Sequence, residues 1–188
     1  PDAVVVASPA DAAALEAALD RVGLPAVVKP NSATRGIGVA RVGDADSLLG
    51  VTDYLDLLHE FPATGDRSFL VQALVPDAHD FRVMCVEGGY VGAVERRLPE
   101  AARAAGRWKH NVHRGAEATG VDLPAPLRDL AERAARALEV PWLGVDLLVP
   151  GGDGAEDLAV ERAVVNETNA RPTVDAATKY EPDFYDRL

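Results

Sequence analysis

The segment Val164-Val165-Asn166-Glu167-Thr168-Asn169-Ala170-Arg171-Pro172 decides the fold. It reads as the end of a β-strand, and because strand side chains repeat every two residues, Glu167 and Asn169 share one face. Upstream, Trp142-Leu143-Gly144-Val145-Asp146-Leu147-Leu148-Val149 is a second apolar strand with one acid in its middle. An acid in such a run is costly unless a cation or a hydrogen-bond donor satisfies it. The connection Pro150-Gly151-Gly152-Asp153-Gly154 is turn-rich, so the two strands are predicted to pair, with Asp146 beside Glu167 and Asn169. Two carboxylates and an amide oxygen make a hard-oxygen set suited to magnesium or manganese. For Glu167 taken alone, a solvated acid at a strand end is the competing reading.

Composition sets the outer limits. A chain of 188 residues can bury a real core. Hydrophobic residues at 48% against 26% charged ones argue against a disordered polypeptide. No apolar run reaches the roughly 18 residues of a membrane-spanning helix. The net charge of −11 disfavours nucleic acid as a partner, but not a metal-complexed nucleotide. Cys85 is the only cysteine, which excludes an intramolecular disulfide and a multi-cysteine metal site. It lies in the strand-like run Phe81-Arg82-Val83-Met84-Cys85-Val86 and is predicted to be core. A cytoplasmic location is expected for such a chain. Sixteen arginines against three lysines suggest a GC-rich and salt-adapted source. The chain opens on Pro1 without a signal peptide and is read as part of a longer protein.

Along the chain, Ser8-Pro9-Ala10-Asp11 is predicted to open a helix with Ser8 as N-cap, carried by Ala14, Leu15, Ala18, Leu19 and Val22 and ended by Gly23. The strand Ala26-Val27-Val28-Lys29-Pro30 contains one charge, Lys29, either a snorkelling lysine or a phosphate ligand. The loop from Asn31 to Val39 is small, polar and glycine-containing, which lets backbone N–H groups approach phosphate oxygens. Taken alone it reads better as a plain hairpin turn, and it is neither a Walker loop nor a dinucleotide fingerprint. Asp44 is predicted to cap a helix to about Leu58, and Phe69 to Val75 to form a strand. Phe81 to Glu87 and Tyr90 to Arg96 are predicted to pair across Gly88-Gly89. Pro99 to Arg107 reads as a loop. Trp108-Lys109-His110-Asn111-Val112-His113-Arg114-Gly115 gathers cations, an amide and two imidazoles. Anion binding fits it better than zinc, since His110 and His113 lack a familiar cysteine or acid partner. Leu127 to Leu138 is an amphipathic helix, and a further helix is expected beyond Val174. The order of elements gives an α+β fold with largely antiparallel sheets, and two sheets joined at Gln72–Val75 are expected to enclose a cleft.

Eight segments then occur in one order: Val27-Val28-Lys29, Thr34-Arg35-Gly36-Ile37-Gly38-Val39, Leu70-Val71-Gln72, Asp80-Phe81-Arg82, Glu95-Arg96-Arg97, His110 to Gly115, Gly144-Val145-Asp146-Leu147-Leu148 and Glu167-Thr168-Asn169. Together, from about Pro1 to Pro172, they resemble the ATP-grasp ligases, and within them the RimK-type branch that ligates glutamate or a related amino acid.

The resemblance implies an ATP-grasp fold, with residues 1–75 as the small lid subdomain and 76–188 as the large metal-binding subdomain. It implies ATP and two Mg²⁺ or Mn²⁺ ions, the latter held by Asp146, Glu167 and Asn169. Lys29 would contact the α- and β-phosphates, with Thr34, Arg35, Gly36 and Gly38 in a lid loop. Ala73 and Leu74 would offer backbone groups to adenine, and Asp80 and His110 would sit near the nucleotide. Arg82, Arg96, Lys109 and Asn111 would act on the transferred phosphate. The implied reaction joins a carboxylate to an amine through an acylphosphate. Its partners would be an amino acid and a carboxylate acceptor (a protein carboxy-terminus, a carrier protein or a coenzyme), with no nucleic acid or membrane and a possible homo-oligomer. An ATP-grasp phosphotransferase and a non-catalytic nucleotide-binding module are the alternatives. Asn169-Ala170-Arg171-Pro172-Thr173 departs from the branch, and Arg171 there suggests a different acceptor contact. Ala73-Leu74 replaces the branch's hinge Glu-Tyr. The branch's amino-terminal domain and final helix are not in this chain.

Overall fold

β-Branched runs place nine strands in two antiparallel sheets in a computed structural model, which describes residues 1–31, 36–59, 67–152, 157–174, 179–181 and 184–187. The chain divides into two compact units, Pro1–Leu74 and Val75–Leu188.

In the first unit the strands β1 (Ala3–Val6), β2 (Ala26–Pro30), β3 (Ala40–Val42) and β4 (Phe69–Ala73) form a sheet in the order β1-β4-β2-β3. Helices α1 (Ala12–Val22) and α2 (Ala45–His59) supply Leu15, Ala18 and Leu48 to a core with Val6, Val28, Val42, Phe69 and Val71. The start of α1 differs from the sequence expectation. Ser8 to Asp11 is a turn, and Asp11 caps the helix by accepting a 3.0 Å bond from the Ala14 amide. That start puts Leu15 and Ala18 on the buried face, while Pro9 serves the preceding turn. Gly23 ends the helix at a φ of 71°, a conformation open to glycine at little cost. Asp44 caps α2 as expected, and Ser47 returns the bond to the Asp44 amide. Strand β1 escaped the sequence reading because four residues are too few to show a period.

The second unit holds β5 (Ala78–Val86), β6 (Gly89–Arg97), β7 (Glu117–Val121), β8 (Trp142–Pro150) and β9 (Val164–Asn169) in the order β7-β6-β5-β8-β9. The predicted β5–β6 hairpin is present, shifted by one residue. Glu87 and Gly88 form the turn, at φ 49° and 76°, and Val86 pairs with Gly89. Positive φ at both central residues matches the right-handed twist of the strands. One face of the sheet carries Phe81, Val83, Cys85, Ala93, Leu143, Val145, Leu147 and Val149 against Leu127, Ala131 and Ala135 of helix α4 (Ala125–Leu138). Spacing by four residues is what lets one stripe of α4 cover the sheet. The other face carries Met84, Val86 and Val94, in part beneath Tyr180 and Phe184.

Two short elements, helix α3 (Glu100–Ala104) and edge strand β7, lie where the sequence reading placed a loop or nothing. The stretch where a helix is expected beyond Val174 lies partly outside the described residues; its described residues bridge Tyr180 to Gly92 and form a 3-10 turn at Tyr185–Arg187. Among the described residues no helix is long and apolar enough to cross a membrane.

Cys85 has no exposed surface, and burial, with Glu132 nearby, pushes its thiol up to about 12. It is therefore expected to resist iodoacetamide at pH 8 in the native protein and to react at once in 6 M guanidinium, read by intact mass. Alkylation of the native thiol at the unfolded rate would show that the α4 face opens.

Candidate functional site

The apolar strand β8 carries Asp146 because neighbouring strands bring two arginines to it. The sheet register sets Asp80 opposite Arg96, Arg82 opposite Asp146, and Asp146 opposite Glu167. These residues cross β6, β5, β8 and β9 on the face away from α4, since strand side chains alternate and Phe81, Val83, Val145 and Leu147 take the other face. Asp146 is only 3% exposed. Its carboxylate accepts from Arg82 Nε at 2.5 Å and Nη2 at 2.7 Å, and from Arg96 Nη2 at 3.0 Å. Arg96 also donates to Asp80 Oδ1, from Nη2 at 2.5 Å and Nε at 3.1 Å. The result is a chain of alternating charges, Asp80–Arg96–Asp146–Arg82, largely withdrawn from water. Its strongest link is the two-pronged Arg82–Asp146 pair.

The chain continues to β9. With the Asn169 amide oriented to satisfy both neighbours, its oxygen accepts from Arg82 Nη2 at 3.3 Å and its nitrogen donates to Glu167 Oε1 at 3.2 Å. Glu167 itself is exposed. A register shift between Asp146 and Leu147 leaves Asn166 as the extra residue, a bulge of the kind that re-aims side chains beside functional sites.

Charge along this chain is unevenly held. Burial pushes the Asp80 carboxyl up to about 6, Arg96 opposing and Asp146 adding to the rise. Burial works against the Arg96 guanidinium, but Asp80 and Asp146 outweigh it and bind its proton more firmly. Gly144 makes the geometry possible. A Cβ there would lie 2.7 Å from Pro172 Cβ and 3.2 Å from Arg82 Cδ. Gly144→Val is therefore expected to push Arg82 off Asp146 and to cost about 1–3 kcal/mol, the usual range for overpacking, in urea denaturation. An unchanged midpoint would show that Pro172 and Arg82 move aside freely.

The structure thus gathers Asp80, Arg82, Arg96, Asp146, Glu167 and Asn169. The partners satisfying Asp146 are the two arginines, so Arg82 is the counter-ion of a buried acid. The residues still fit a hard divalent cation. All three ligand candidates offer oxygen, and the exposed Glu167 stands directly across from Asp146. Among the described residues no group of three His, Cys, Asp or Glu side chains converges on one point, so the Asn169 oxygen is needed to complete a set of three.

Other expected residues lie elsewhere. Lys29 is half-buried on β2 of the first unit, and Gly36 and Gly38 stand in a turn at φ 65° and 76°. A Cβ on Gly38 would lie 2.6 Å from the Pro30 ring. Thr34 and Arg35 fall outside the described residues. The Ala73 amide donates to Asp2 O at 2.8 Å and the Leu74 amide to Pro25 O at 3.4 Å. Both N–H groups are thus engaged within the first unit. In the second unit Lys109 sits 5.7 Å over the Trp108 ring, and burial lowers its ammonium, Arg114 adding to the effect. The Asn111 carbonyl accepts from the Arg114 and Ala116 amides and closes a 3-10 turn. His110 is half-buried, and burial with Arg96 lowers its imidazole.

One cluster was invisible in the sequence. His79, 7% exposed, sits 2.7 Å from Glu95 Oε1 through Nδ1 and 2.7 Å from Gly152 O through Nε2, and Arg97 Nε donates to the same Glu95 oxygen at 2.8 Å. The Glu95-Arg96-Arg97 run hinted at it, because alternation must send Glu95 and Arg97 to the face opposite Arg96.

Comparison with known proteins identifies the family and the fold. The sequence model of the RimK-like ATP-grasp domain matches residues 1–181. The ribosomal protein bS6–L-glutamate ligase of Shigella boydii serotype 4 (strain Sb227) is 31% identical over 178 residues, covering 93% of this chain and 51% of that protein. The chain therefore spans about half the length of such relatives. Among solved structures, D-alanine–D-alanine ligase from Bacillus anthracis superposes with a TM-score of 0.61 at 21% identity, over 92% of this chain and 51% of that one. A RimK domain ATP-grasp protein from Sphaerobacter thermophilus DSM 20745 gives 0.59 at 23% identity, over 95% and 55%. The two antiparallel sheets are those of the ATP-grasp fold, and the chain belongs to the RimK-like ATP-grasp domain family.

Proposed function

We propose that the protein carrying this domain is an ATP-dependent ligase that joins a carboxylate to the amine of glutamate or a similar amino acid. The observation that carries this reading is the alternating chain Asp80–Arg96–Asp146–Arg82 beside Glu167 and Asn169, in a member of this family. The Shigella boydii relative is named for joining L-glutamate to ribosomal protein bS6, which supports an amino acid and a protein carboxylate as substrates here. We take the first unit as the lid subdomain and the second as the metal-binding one, and the cytoplasm as the location.

Phosphoryl transfer to a carboxylate brings two anions together, so catalysis consists of neutralising charge and fixing geometry. Arg96, held on two sides by Asp80 and Asp146, can meet the transferred phosphoryl without reorganising. Lys109 and the Asn111 side chain would steady the same group, and Lys29 with the Gly36–Gly38 turn would bind the α- and β-phosphates. Asp146, Glu167 and Asn169 would hold the magnesium or manganese ions, which supply electrostatic stabilisation of the ATP phosphates when bound. The acylphosphate formed is then attacked by the amine, giving an amide, ADP and phosphate.

The test is ADP and phosphate release from ATP and Mg²⁺, measured with L-glutamate and a glutamate-ended peptide, together and singly. Release that needs both substrates, with a mass gain of one glutamyl residue on the peptide, is expected. ADP release that leaves a stable phosphorylated product would instead mark a phosphotransferase. Binding of ATP with no turnover would mark a nucleotide-binding module.

A further inference from the structure

The stretch from Pro99 to Gly115 runs against the charge of the rest of the chain. It holds Arg103, Arg107, Lys109 and Arg114 against one acid, Glu100, in a chain whose net charge is −11. It is also an excursion over the surface. Leu98 and Ala116 are buried, at 4% and 6% exposure, and none of the described residues between them is. Helix α3 buries none of its residues. Backbone hydrogen bonds hold the stretch in place of a core. The Arg107 amide donates to Ala102 O at 3.0 Å, and the Ala116 amide to Asn111 O at 3.2 Å.

The cations of this excursion are gathered rather than spread. Arg107 Nη2 donates to the Arg114 carbonyl, which sets one guanidinium on the backbone of the next arginine. Arg114 lies close enough to the Lys109 ammonium to oppose its charge, and Arg103 and Arg96 lie close enough to oppose a charge on His110. Both feet of the excursion stand beside the candidate site, because Arg97 pairs with Glu117 and Arg96 with Ala118. The basic surface is therefore continuous with the residue assigned to the transferred phosphoryl. Repulsion among these cations is a cost that a partner with several negative charges relieves. Arg103, Arg107 and Arg114 have no part in the roles assigned to ATP or the transferred phosphate, which leaves them for a second anion.

We propose that this excursion docks the acidic tail of the carboxylate acceptor, a role that rests on the ligase reading above. The occupant is a peptide with several Asp or Glu residues before its reacting carboxylate. Its side-chain carboxylates pair with Arg103, Arg107 and Arg114, and its terminal carboxylate reaches Arg96. The acidic remainder of the chain repels such a tail and so directs it to the excursion. Each pair is exposed and weak, so affinity comes from several together and falls with salt.

Fluorescence anisotropy of a labelled hexaglutamate peptide tests this, with a serine-glycine peptide ending in a single glutamate as the neutral comparison. Hexaglutamate should bind the wild-type protein more tightly than the neutral peptide, lose affinity with salt, and stay bound with a saturating ATP analogue and Mg²⁺. Arg103→Glu/Arg114→Glu should weaken it on the order of 10-fold, the combined worth of two exposed ion pairs. Arg103→Lys/Arg114→Lys should bind as the wild type does. Unchanged binding in the glutamate variant, equal loss in the lysine variant, or displacement by the ATP analogue overturns the proposal. A single-stranded RNA that binds as tightly and is weakened by the same variant also overturns it, since the surface would then take any polyanion. In turnover, hexaglutamate should show the lower KM of the two peptides, and the glutamate variant should erase that difference with kcat unchanged. Turnover with equal KM for both peptides overturns the docking role and leaves the ligase reading intact. Specific binding of hexaglutamate without turnover of either peptide supports the surface and overturns the ligase reading.

Discussion

Arg82→Met is expected to lower the unfolding free energy by about 3–5 kcal/mol, the range for removing one partner of a buried ion pair. The chain length of methionine keeps the packing, so the loss isolates the charge. Asp146, at 3% exposure, would retain only Arg96 at 3.0 Å in place of three contacts. Urea denaturation checks the loss, and Arg82→Met/Asp146→Asn should recover part of it because no uncompensated charge then stays buried. A loss below 1 kcal/mol for the single variant would mean that Arg96 satisfies Asp146 unaided. The same substitution should loosen Asn169, whose oxygen Arg82 also meets, so the site suffers beyond its stability.

Arg96→Ala is expected to reduce turnover on the order of 10²–10³-fold, as loss of one preorganised donor does. It also carries a pH signature. Asp80 in the folded protein stands at about 6 against an ordinary 3.8, with Arg96 the largest influence holding it down. Between those values the folded state binds the proton that the unfolded state has lost. Stability therefore falls as pH rises through the window from about 4 to 6. Without Arg96 the Asp80 carboxyl rises further and the window extends upward. The variant should be most destabilised near pH 8 and regain stability by pH 5, in denaturation followed across pH. An equal deficit at both pH values would show that Arg96 does not govern Asp80.

Much of this was legible in the sequence because it depended on short-range chemistry. The glycine-rich link after Pro150 and the acid inside an apolar strand were enough to pair β8 with β9 and to set Asp146 beside Glu167. The β5–β6 hairpin followed from Gly88, and the core stripe of α4 from residues four apart. Features that depend on register were hidden. Nothing local to Arg82 says that it stands opposite Asp146, or that Gly144 is bare so that its side chain can pass. The His79–Glu95–Gly152 cluster joins residues up to 73 apart. Short edge elements such as β1 and β7 carry too few residues to show a period, and β7 is polar on an exposed edge. Ser8 looked like a cap because Pro9 follows it, yet Asp11 wins once Leu15 and Ala18 must face the core. That the Ala73 and Leu74 amides bond to Asp2 and Pro25 of their own unit was equally hidden, because those partners lie far away in sequence.

The most direct measurement is calorimetric binding of a non-hydrolysable ATP analogue, with and without Mg²⁺, to the wild-type protein and to Glu167→Gln. Glu167 is the exposed carboxylate of the proposed ligand set, and the variant removes its charge while keeping an oxygen for the Asn169 amide. The account predicts binding that strengthens with Mg²⁺ in the wild type and loses that dependence in the variant. Binding that ignores Mg²⁺, or a dependence that survives Glu167→Gln, would contradict it.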